Sequence, residues 1–277
     1  MLSTTDHRRD YSGFRYVYPV ISRRAGGVSV GVNLNPNNAC NWACVYCQVP
    51  NLTRGGPPPI DLALLAEELR TLLHDIVHGD FMVREVPEGA RSLMDVAFSG
   101  NGEPTSAAEF PQAIAIAIAV MQELSLPPTV KLRLITNGSL LHRAAVRTGI
   151  QRIGEVNGEV WFKVDRATAA GMAAVNQIAL DPEKILRNLQ TCTELAPTWL
   201  QTCWFAVDGK APDEKEVSAY LGFVDPVRTK IKGVHLYGLA RPSLQPEAPR
   251  LGSLPEDQLA AFATRISALG ITVALSL

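Results

Sequence analysis

Three of the five cysteines in this 277-residue chain fall within one short run, Asn35-Pro-Asn-Asn-Ala-Cys40-Asn-Trp-Ala-Cys44-Val-Tyr-Cys47, spaced C-x3-C-x2-C. Thiolates are soft ligands suited to zinc or to iron–sulfur clusters. A structural zinc site takes four ligands, usually from two C-x2-C elements. No second pair exists here, and Cys192 and Cys203 lie far downstream, on a predicted helix stripe and within a predicted strand. Three thiolates on a cluster of four irons leave one iron open, and an open iron is a position for a substrate or cofactor. Three structural thiols would not explain why they share one polar, asparagine-rich loop. The odd count also argues against a disulfide framework. For Cys192 and Cys203 a buried free thiol is the ordinary expectation.

Further candidates sit where apolar runs end. Phe98-Ser-Gly100-Asn-Gly102-Glu103-Pro104-Thr105 is a glycine-rich strand end followed by a carboxylate. Glycines let backbone approach a ligand and Glu103 can accept from an ammonium, with a plain turn as the alternative. Thr136-Asn137-Gly138-Ser139 contains a common turn pair, and also offers Asn137 and Ser139 as polar contacts. Lys163 and Asp165 alternate in Trp161-Phe-Lys-Val-Asp-Arg166, so both can point the same way, as ligand contacts or as an ion pair. Asp208, Tyr237 and Arg241 follow later strands and are candidates for ligand contacts or loop anchors. Arg23 and Arg24 could clamp an anionic substrate or form a solvated turn before Gly26 and Gly27. His74 and His78 have a metal-compatible spacing, but the last helical turn before Gly79 is also where histidine complements the helix dipole.

These groups need strands that end at them. Candidate strands are Val28 to Leu34, Asp95 to Ser99, Val130 to Thr136, Glu159 to Val164, Leu200 to Ala206 and Ile231 to Tyr237. Several are almost continuously apolar, as parallel strands covered on both faces are. One helix opens near Asp61 and stops at Gly79, with Leu65, Leu69, Leu72, Leu73, Ile76 and Val77 as its stripe. Another opens at Asp181-Pro182, carrying Ile185, Leu186, Leu189 and Cys192. Ser253 with Glu256 matches a capping box ahead of Leu259, Phe262, Ile266 and Leu269. Ala113 to Val120 alternates alanine with isoleucine like a strand, but Phe110-Pro111 ahead of it and its length to Leu124 assign a helix.

Six strand–helix units imply a parallel sheet with right-handed connections. Six is two short of a closed eightfold barrel, so the predicted fold is α/β, a partial (β/α)6 barrel with its site at the C-terminal ends of the strands. Residues 1–27 read as an N-terminal extension, 28–245 as the barrel, and 246–277 as a C-terminal helix and strand packed on it. Arg54 to Pro59 is linker-like but lies inside the first crossover, so it marks no boundary. An apolar fraction of 47% against 19% charged residues describes a globular chain with ample core. The net charge of −1 excludes a generally basic nucleic-acid surface or a polybasic membrane segment. No apolar run approaches the ~20 residues of a membrane span. The start, with Asp6, Arg8, Arg9 and Asp10, has no signal-peptide core, so a cytoplasmic location without a membrane partner is expected.

The cysteine run has the form C-x3-C-x-aromatic-C, with Tyr46 as the aromatic, and Gly100-Asn-Gly102-Glu103-Pro104 follows at the second predicted strand. Together they resemble the radical S-adenosylmethionine (SAM) superfamily, whose partial barrel the six units match over nearly the whole chain. The resemblance implies that Cys40, Cys44 and Cys47 ligate a [4Fe–4S] cluster and that SAM chelates the fourth iron. An electron, from a donor such as flavodoxin or ferredoxin, would then cleave SAM to methionine and a 5′-deoxyadenosyl radical that abstracts hydrogen from a substrate. It further implies the Tyr46 backbone at the adenine, and Gly100, Gly102 and Glu103 at the methionine moiety. Asn137 and Ser139 would meet the methionine or ribose, and Lys163 and Asp165 the carboxylate and ribose.

Tyr18 to Gly27, Asn33-Leu-Asn-Pro36 and Leu236-Tyr-Gly-Leu-Ala-Arg241-Pro242 are similar to a bacterial branch near the wyosine-type tRNA-modifying members, which implies an RNA or nucleobase substrate. Those enzymes carry a second cluster on N-terminal cysteines, and this chain has no cysteine before Cys40. Its near-neutral charge also offers no general phosphate-binding surface. The other expectations are a small-metabolite or peptide substrate, or an activase placing a glycyl radical on a partner protein. A peptide modifier with C-terminal auxiliary clusters fits poorly, since the last cysteine is Cys203. The non-enzymatic alternative is an iron–sulfur or zinc binding module, against which the intact Glu103 and cysteine triplet stand.

Overall fold

The computed structural model describes residues 1–3, 11–22, 24–239 and 241–276. Arg23 and the charged residues Asp6, Arg8, Arg9 and Asp10 lie outside the described residues. The main sheet has eight strands in chain order across it: β1 (Val17–Ser22), β2 (Gly27–Val32), β3 (Leu93–Phe98), β4 (Lys131–Thr136), β5 (Glu159–Lys163), β6 (Thr198–Cys203), β7 (Gly233–Tyr237) and β8 (Val273–Ser276). β1 pairs antiparallel with β2, and every later pairing is parallel.

Side chains alternate across a strand, and here the two faces differ sharply in chemistry. One face carries Val30, Val96, Phe98, Leu134, Phe162, Leu200 and Leu236, all without solvent exposure. These pack against helices α1 (Leu62–His78), α2 (Phe110–Glu123), α3 (Ala144–Glu155), α5 (Pro182–Leu195), α6 (Glu214–Val224) and α7 (Glu256–Ser267), with the short α4 (Ala169–Asn176) at the end of β5. The other face carries Ser29, Ala97, Arg133, Ile135, Lys163, Gln201 and Tyr237, which line a single cavity. The sheet is thus a half-barrel whose apolar core lies outside it, under the helices, and whose lumen mixes charged and polar side chains with apolar ones. No helix among the described residues is long and apolar enough to cross a membrane.

The helices keep their sequence signals with two exceptions. Asp61 caps α1 by accepting from Ala63 N and Leu64 N, and Asp181 caps α5 through Glu183 N. The alanine–isoleucine run is helical because its buried positions, Phe110, Ala113, Ile114, Ala117 and Val120, follow the helical period. Val77, placed on the α1 stripe from sequence, is 40% exposed, since the burial arc closes at Ile76. The Ser253–Glu256 capping box does not form: Pro255 takes the N-cap position with an extended backbone, leaving Ser253 two residues outside and at the cavity wall.

Two segments assigned outside the barrel belong to its sheet. β1, read as part of an extension, carries Pro19, which hides a strand in sequence because proline is confined to edges; β1 is an edge strand. At the opposite edge β8 pairs with β7, His235 opposite Ala274, so the C-terminal strand joins the sheet instead of packing on it.

Candidate active site

The chain leaves β2 through Asn33 and enters a loop that buried asparagines hold in shape. Asn33 Oδ1 accepts from the backbone N–H of Asn35 and of Asn101, both at 3.0 Å. Asn35 Nδ2 donates to Ala39 O at 2.9 Å. The glycine-rich end of β3 lies directly against this loop. A Cβ on Gly102 would collide with Ala39 O, and one on Gly100 (φ +153°) with Asn33 Oδ1. The close approach that these glycines permit is therefore, in the first place, to the cysteine loop, though both also line the cavity.

Three distant segments clip the loop from its other sides. Ala43 N and Val45 N donate to Asn176 O and Val175 O, so the C-terminal carbonyls of α4 are capped by the cysteine loop. Arg54 donates to Asn41 O at 3.1 Å and also to Gln177 O. After β7, Ser243 Oγ reaches Val45 O at 2.7 Å and Gln245 Nε2 reaches Val49 O at 2.8 Å. Sequence reasoning missed all of these residues except the loop itself.

Cys40, Cys44 and Cys47 are free, partly exposed, and line the cavity together. Trp42 N donates to Cys40 Sγ at 3.5 Å and Asn176 Nδ2 to Cys44 Sγ at 3.3 Å. Burial pushes the Cys40 thiol up to about 11 and the Cys44 thiol up to about 12. Any metal bound here displaces those protons. Among the described residues no three Cys, His, Asp or Glu side chains converge tightly enough to hold a single metal ion. A mononuclear zinc site would need its sulfurs about 3.8 Å apart, given Zn–S bonds of ~2.3 Å. Three soft donors on one cavity wall, two of them already accepting N–H groups, offer the thiolate chemistry that an iron–sulfur cluster takes. Trp42 Nε1, between Cys40 and Cys44 in sequence, is buried with no partner.

Glu103 is 3% exposed and its carboxylate is occupied from within the fold. Oε1 accepts from Thr105 N (3.1 Å), Thr105 Oγ1 (2.5 Å) and Thr136 Oγ1 (2.7 Å), and Oε2 accepts from Asn137 N (2.7 Å). Oε2 alone keeps capacity for another donor. Asn137 Nδ2 and Ser139 Oγ meet across Asn41, at 2.8 Å from its Oδ1 and Nδ2 respectively, so the end of β4 and the cysteine loop are one hydrogen-bonded unit.

Lys163 and Asp165 do point the same way, 3.8 Å apart. Burial is the largest single influence on Lys163 and would lower its pKa, but the Asp165 carboxylate together with Tyr237, Cys44 and Cys203 turns the net shift upward. Asp165 also accepts from Tyr46 Oη at 2.6 Å and Cys203 N at 3.0 Å. The Lys163 ammonium sits 5.0 Å from the Tyr46 ring centroid and 3.4 Å from Tyr237 Oη. Cys203, expected to be a core thiol, is buried but lies on the cavity wall. Cys192 is a core thiol, 3.4 Å from Thr198 Oγ1. Tyr237, Arg24 and Arg241 line the cavity; Asp208 does not, forming instead an exposed 2.7 Å ion pair with Arg250. His74 and His78 are exposed neighbours on α1, ring centroids 5.0 Å apart.

The cavity measures about 720 Å³ and runs down the lumen from the cysteine loop. Its far end holds Arg133 between Asp95 and Glu159, with Trp161 beside the guanidinium at 4.9 Å.

No protein-family model matches the sequence. Over 135 residues, 48% of this chain, it is 27% identical to GTPase Obg of Brachyspira hyodysenteriae, of which that stretch is only 17%. The fold is similar to a radical SAM methyltransferase from Sphaerobacter thermophilus, with TM-score 0.61 and 13% identity over 94% of this chain and 68% of that one. It is also similar to anSMEcpe with bound AdoMet, with TM-score 0.55 and 14% identity over 88% of this chain and 63% of that one. The chain therefore has the α/β partial-barrel fold of radical SAM enzymes.

Proposed function

We propose that this chain is a radical SAM enzyme, in which Cys40, Cys44 and Cys47 hold a [4Fe–4S] cluster at the mouth of the lumen. The observation that carries the reading is the placement of three free thiols, spaced C-x3-C-x2-C, in the loop after the first parallel strand of this fold and at the wall of its cavity. When bound and reduced, such a cluster would supply the one electron that splits SAM into methionine and a 5′-deoxyadenosyl radical. The protein's part is positioning. The asparagine network, Gly100 and Gly102 fix the thiols; Glu103 and Asn137 border the same wall and receive the amino-acid moiety of SAM, with Ser139 tied to the cysteine loop through Asn41. Lys163 provides a charge for its carboxylate, held by Asp165. The lumen below shelters the substrate from water.

A small molecule, or one base or side chain of a larger one, fits a lumen of this size. A wyosine-like RNA substrate has its support in the sequence resemblance alone, and the net charge of −1 supplies no phosphate-binding surface for it. No Gly-x4-Gly-Lys-Ser/Thr phosphate loop occurs in the 277 residues, so the GTPase activity of the matched relative is not carried across.

Anaerobic reconstitution with iron and sulfide tests the reading. About four irons per chain, and 5′-deoxyadenosine released from SAM on reduction, are expected. Cys40→Ala, Cys44→Ala or Cys47→Ala each abolishes cleavage, and Cys192→Ala leaves it intact. Stoichiometric zinc without SAM cleavage would overturn it.

A further inference from the structure

Besides Trp42 Nε1, three side-chain nitrogens among the described residues are buried with no hydrogen-bond partner: Arg24 Nη1, Gln201 Nε2 and His235 Nε2. They meet at one level of the lumen. Gln201 pairs in register with Lys163 on β5 and with His235 on β7. Arg24 reaches in from the β1–β2 hairpin, its guanidinium 4.6 Å from the Tyr237 ring centroid and 5.7 Å from that of Trp161. Tyr237 lies one pleat beyond His235, and Trp161 one pleat before Lys163, so Arg24 spans the row that Gln201 occupies. Arg24 and Gln201 both line the cavity, and Gln201 is 2% exposed.

Buried donors without acceptors are destabilising, and such groups are rare unless something outside the chain completes them. The terminal torsion of glutamine is broad, so its amide can turn a donor into the lumen freely. Charge points the same way. Arg133 has Asp95 and Glu159 as partners, and Lys163 has Asp165, whereas Arg24 forms no ion pair with a carboxylate among the described residues. Its guanidinium rests against an aromatic ring, an arrangement that leaves the N–H edge free for planar recognition.

We propose that this row is a substrate-anchoring subsite for a carboxylate, gripped by Arg24 and Gln201, with the rest of a small organic acid extending toward the cysteine loop. A single unpaired guanidinium beside a neutral amide matches one negative charge better than a phosphate dianion. The inference deepens the radical SAM reading and rests on it for the bound acid being the substrate; the anion site itself stands on the lumen geometry.

The test is calorimetric titration of the full chain with benzoate, with its uncharged isostere benzamide and with phenyl phosphate, followed in parallel by tryptophan fluorescence. Benzoate is expected to bind at least about tenfold more tightly than either analogue. Arg24→Gln and Gln201→Leu should each weaken benzoate by about tenfold or more. Gln201→Leu should do so without lowering the melting temperature, because it removes an unpaired buried amide instead of a contact. A merely structural glutamine would lose stability instead. Equal binding of benzoate and benzamide, undiminished binding by the Arg24 variant, preference for phenyl phosphate, or no binding at all would each overturn the subsite. SAM cleavage by reconstituted protein is scored separately: cleavage without benzoate binding sinks only the subsite, and benzoate binding without cleavage sinks only the radical reading.

Discussion

Replacing Glu103 by glutamine separates two roles that sequence alone merges. The carboxylate accepts from four donors in the fold, three on Oε1 and one on Oε2. A glutamine keeps one acceptor oxygen and brings an NH2 to the other position. With that NH2 at the Oε2 site it faces the Asn137 N–H, donor against donor. With it at the Oε1 site, the threonine hydroxyls can rotate to accept, but the Thr105 N–H is stranded. Either way one buried backbone donor loses its acceptor, at about 1–3 kcal/mol, and the surviving bonds lose their charge assistance. The sum is about 2–4 kcal/mol. For a chain of this size, at ~2.1 cal/mol/K of unfolding entropy per residue, that lowers the melting temperature by roughly 3–7 °C. Native-state hydrogen exchange gives the local signature: Asn137 and Thr105 amides should lose protection more than those of β7. A Glu103→Gln protein that melts within about 1 °C of the parent, with unchanged exchange, would refute the anchoring argument and leave Glu103 as a ligand contact only.

Three further outcomes follow from the same geometry. Lys163→Met leaves Asp165 buried without its cation, which costs about 3 kcal/mol in urea unfolding, the low end for a broken buried pair, because Tyr46, Asn176 and the Cys203 amide still donate to that carboxylate. Asn176→Ala removes the donor to Cys44 Sγ, so the midpoint potential of the reconstituted cluster should move negative, as spectroelectrochemistry would show; an unchanged potential speaks against that bond. Burial first, and Arg24 next, lower the His235 pKa to about 4 from 6.5, so the folded state binds fewer protons than the unfolded one in that window. Stability is therefore full above about pH 6.5 and falls as pH drops toward 4, and His235→Gln should show a smaller loss of urea midpoint between pH 7.5 and 4.5 than the parent.

The parallel strands were legible because burial on both faces, or burial plus a lumen of small and mixed residues, leaves them long apolar runs bounded by turn residues. β1 was not, because Pro19 mimics an irregular segment and only its place at the sheet edge allows it. The thiol triplet was legible as a ligand set from spacing alone. What fixes it was not: Asn33 finds the Asn101 amide and Gln245 finds Val49 O across most of the chain, and no local pattern encodes partners so far apart. The alternation that put Lys163 and Asp165 on one side was readable; the same logic applied to Gln201, Cys203 and Tyr237 would have placed all three in the lumen. Cys203, expected as a buried free thiol, is buried, and strand parity decides that it is buried against the lumen.

That parity carries the functional argument. In a closed eightfold barrel, layers of branched side chains fill the interior and the site is confined to the loops. Here Val30, Val96, Leu134 and Leu236 face the helices, and the lumen row is Ser29, Ala97, Arg133, Gln201 and their neighbours, with Ile135 the branched residue among them. Stability is thereby located outside the sheet and ligand recognition inside it. The arrangement has a cost in unsatisfied polar groups, and the structure meets most of it internally: Asp95 takes Ser29 and Arg133, Glu159 takes Arg133 and the Trp161 indole, and Asp165 takes Tyr46, Lys163 and the Cys203 amide. Those networks close the far end and stiffen the end nearest the thiols. Among the described residues, the buried side-chain groups left unsatisfied fall at two places, Trp42 beside the cysteines and the Arg24–Gln201–His235 row beneath them. A lumen completed by one cofactor at its mouth and one anionic molecule below would leave both gaps where they are found.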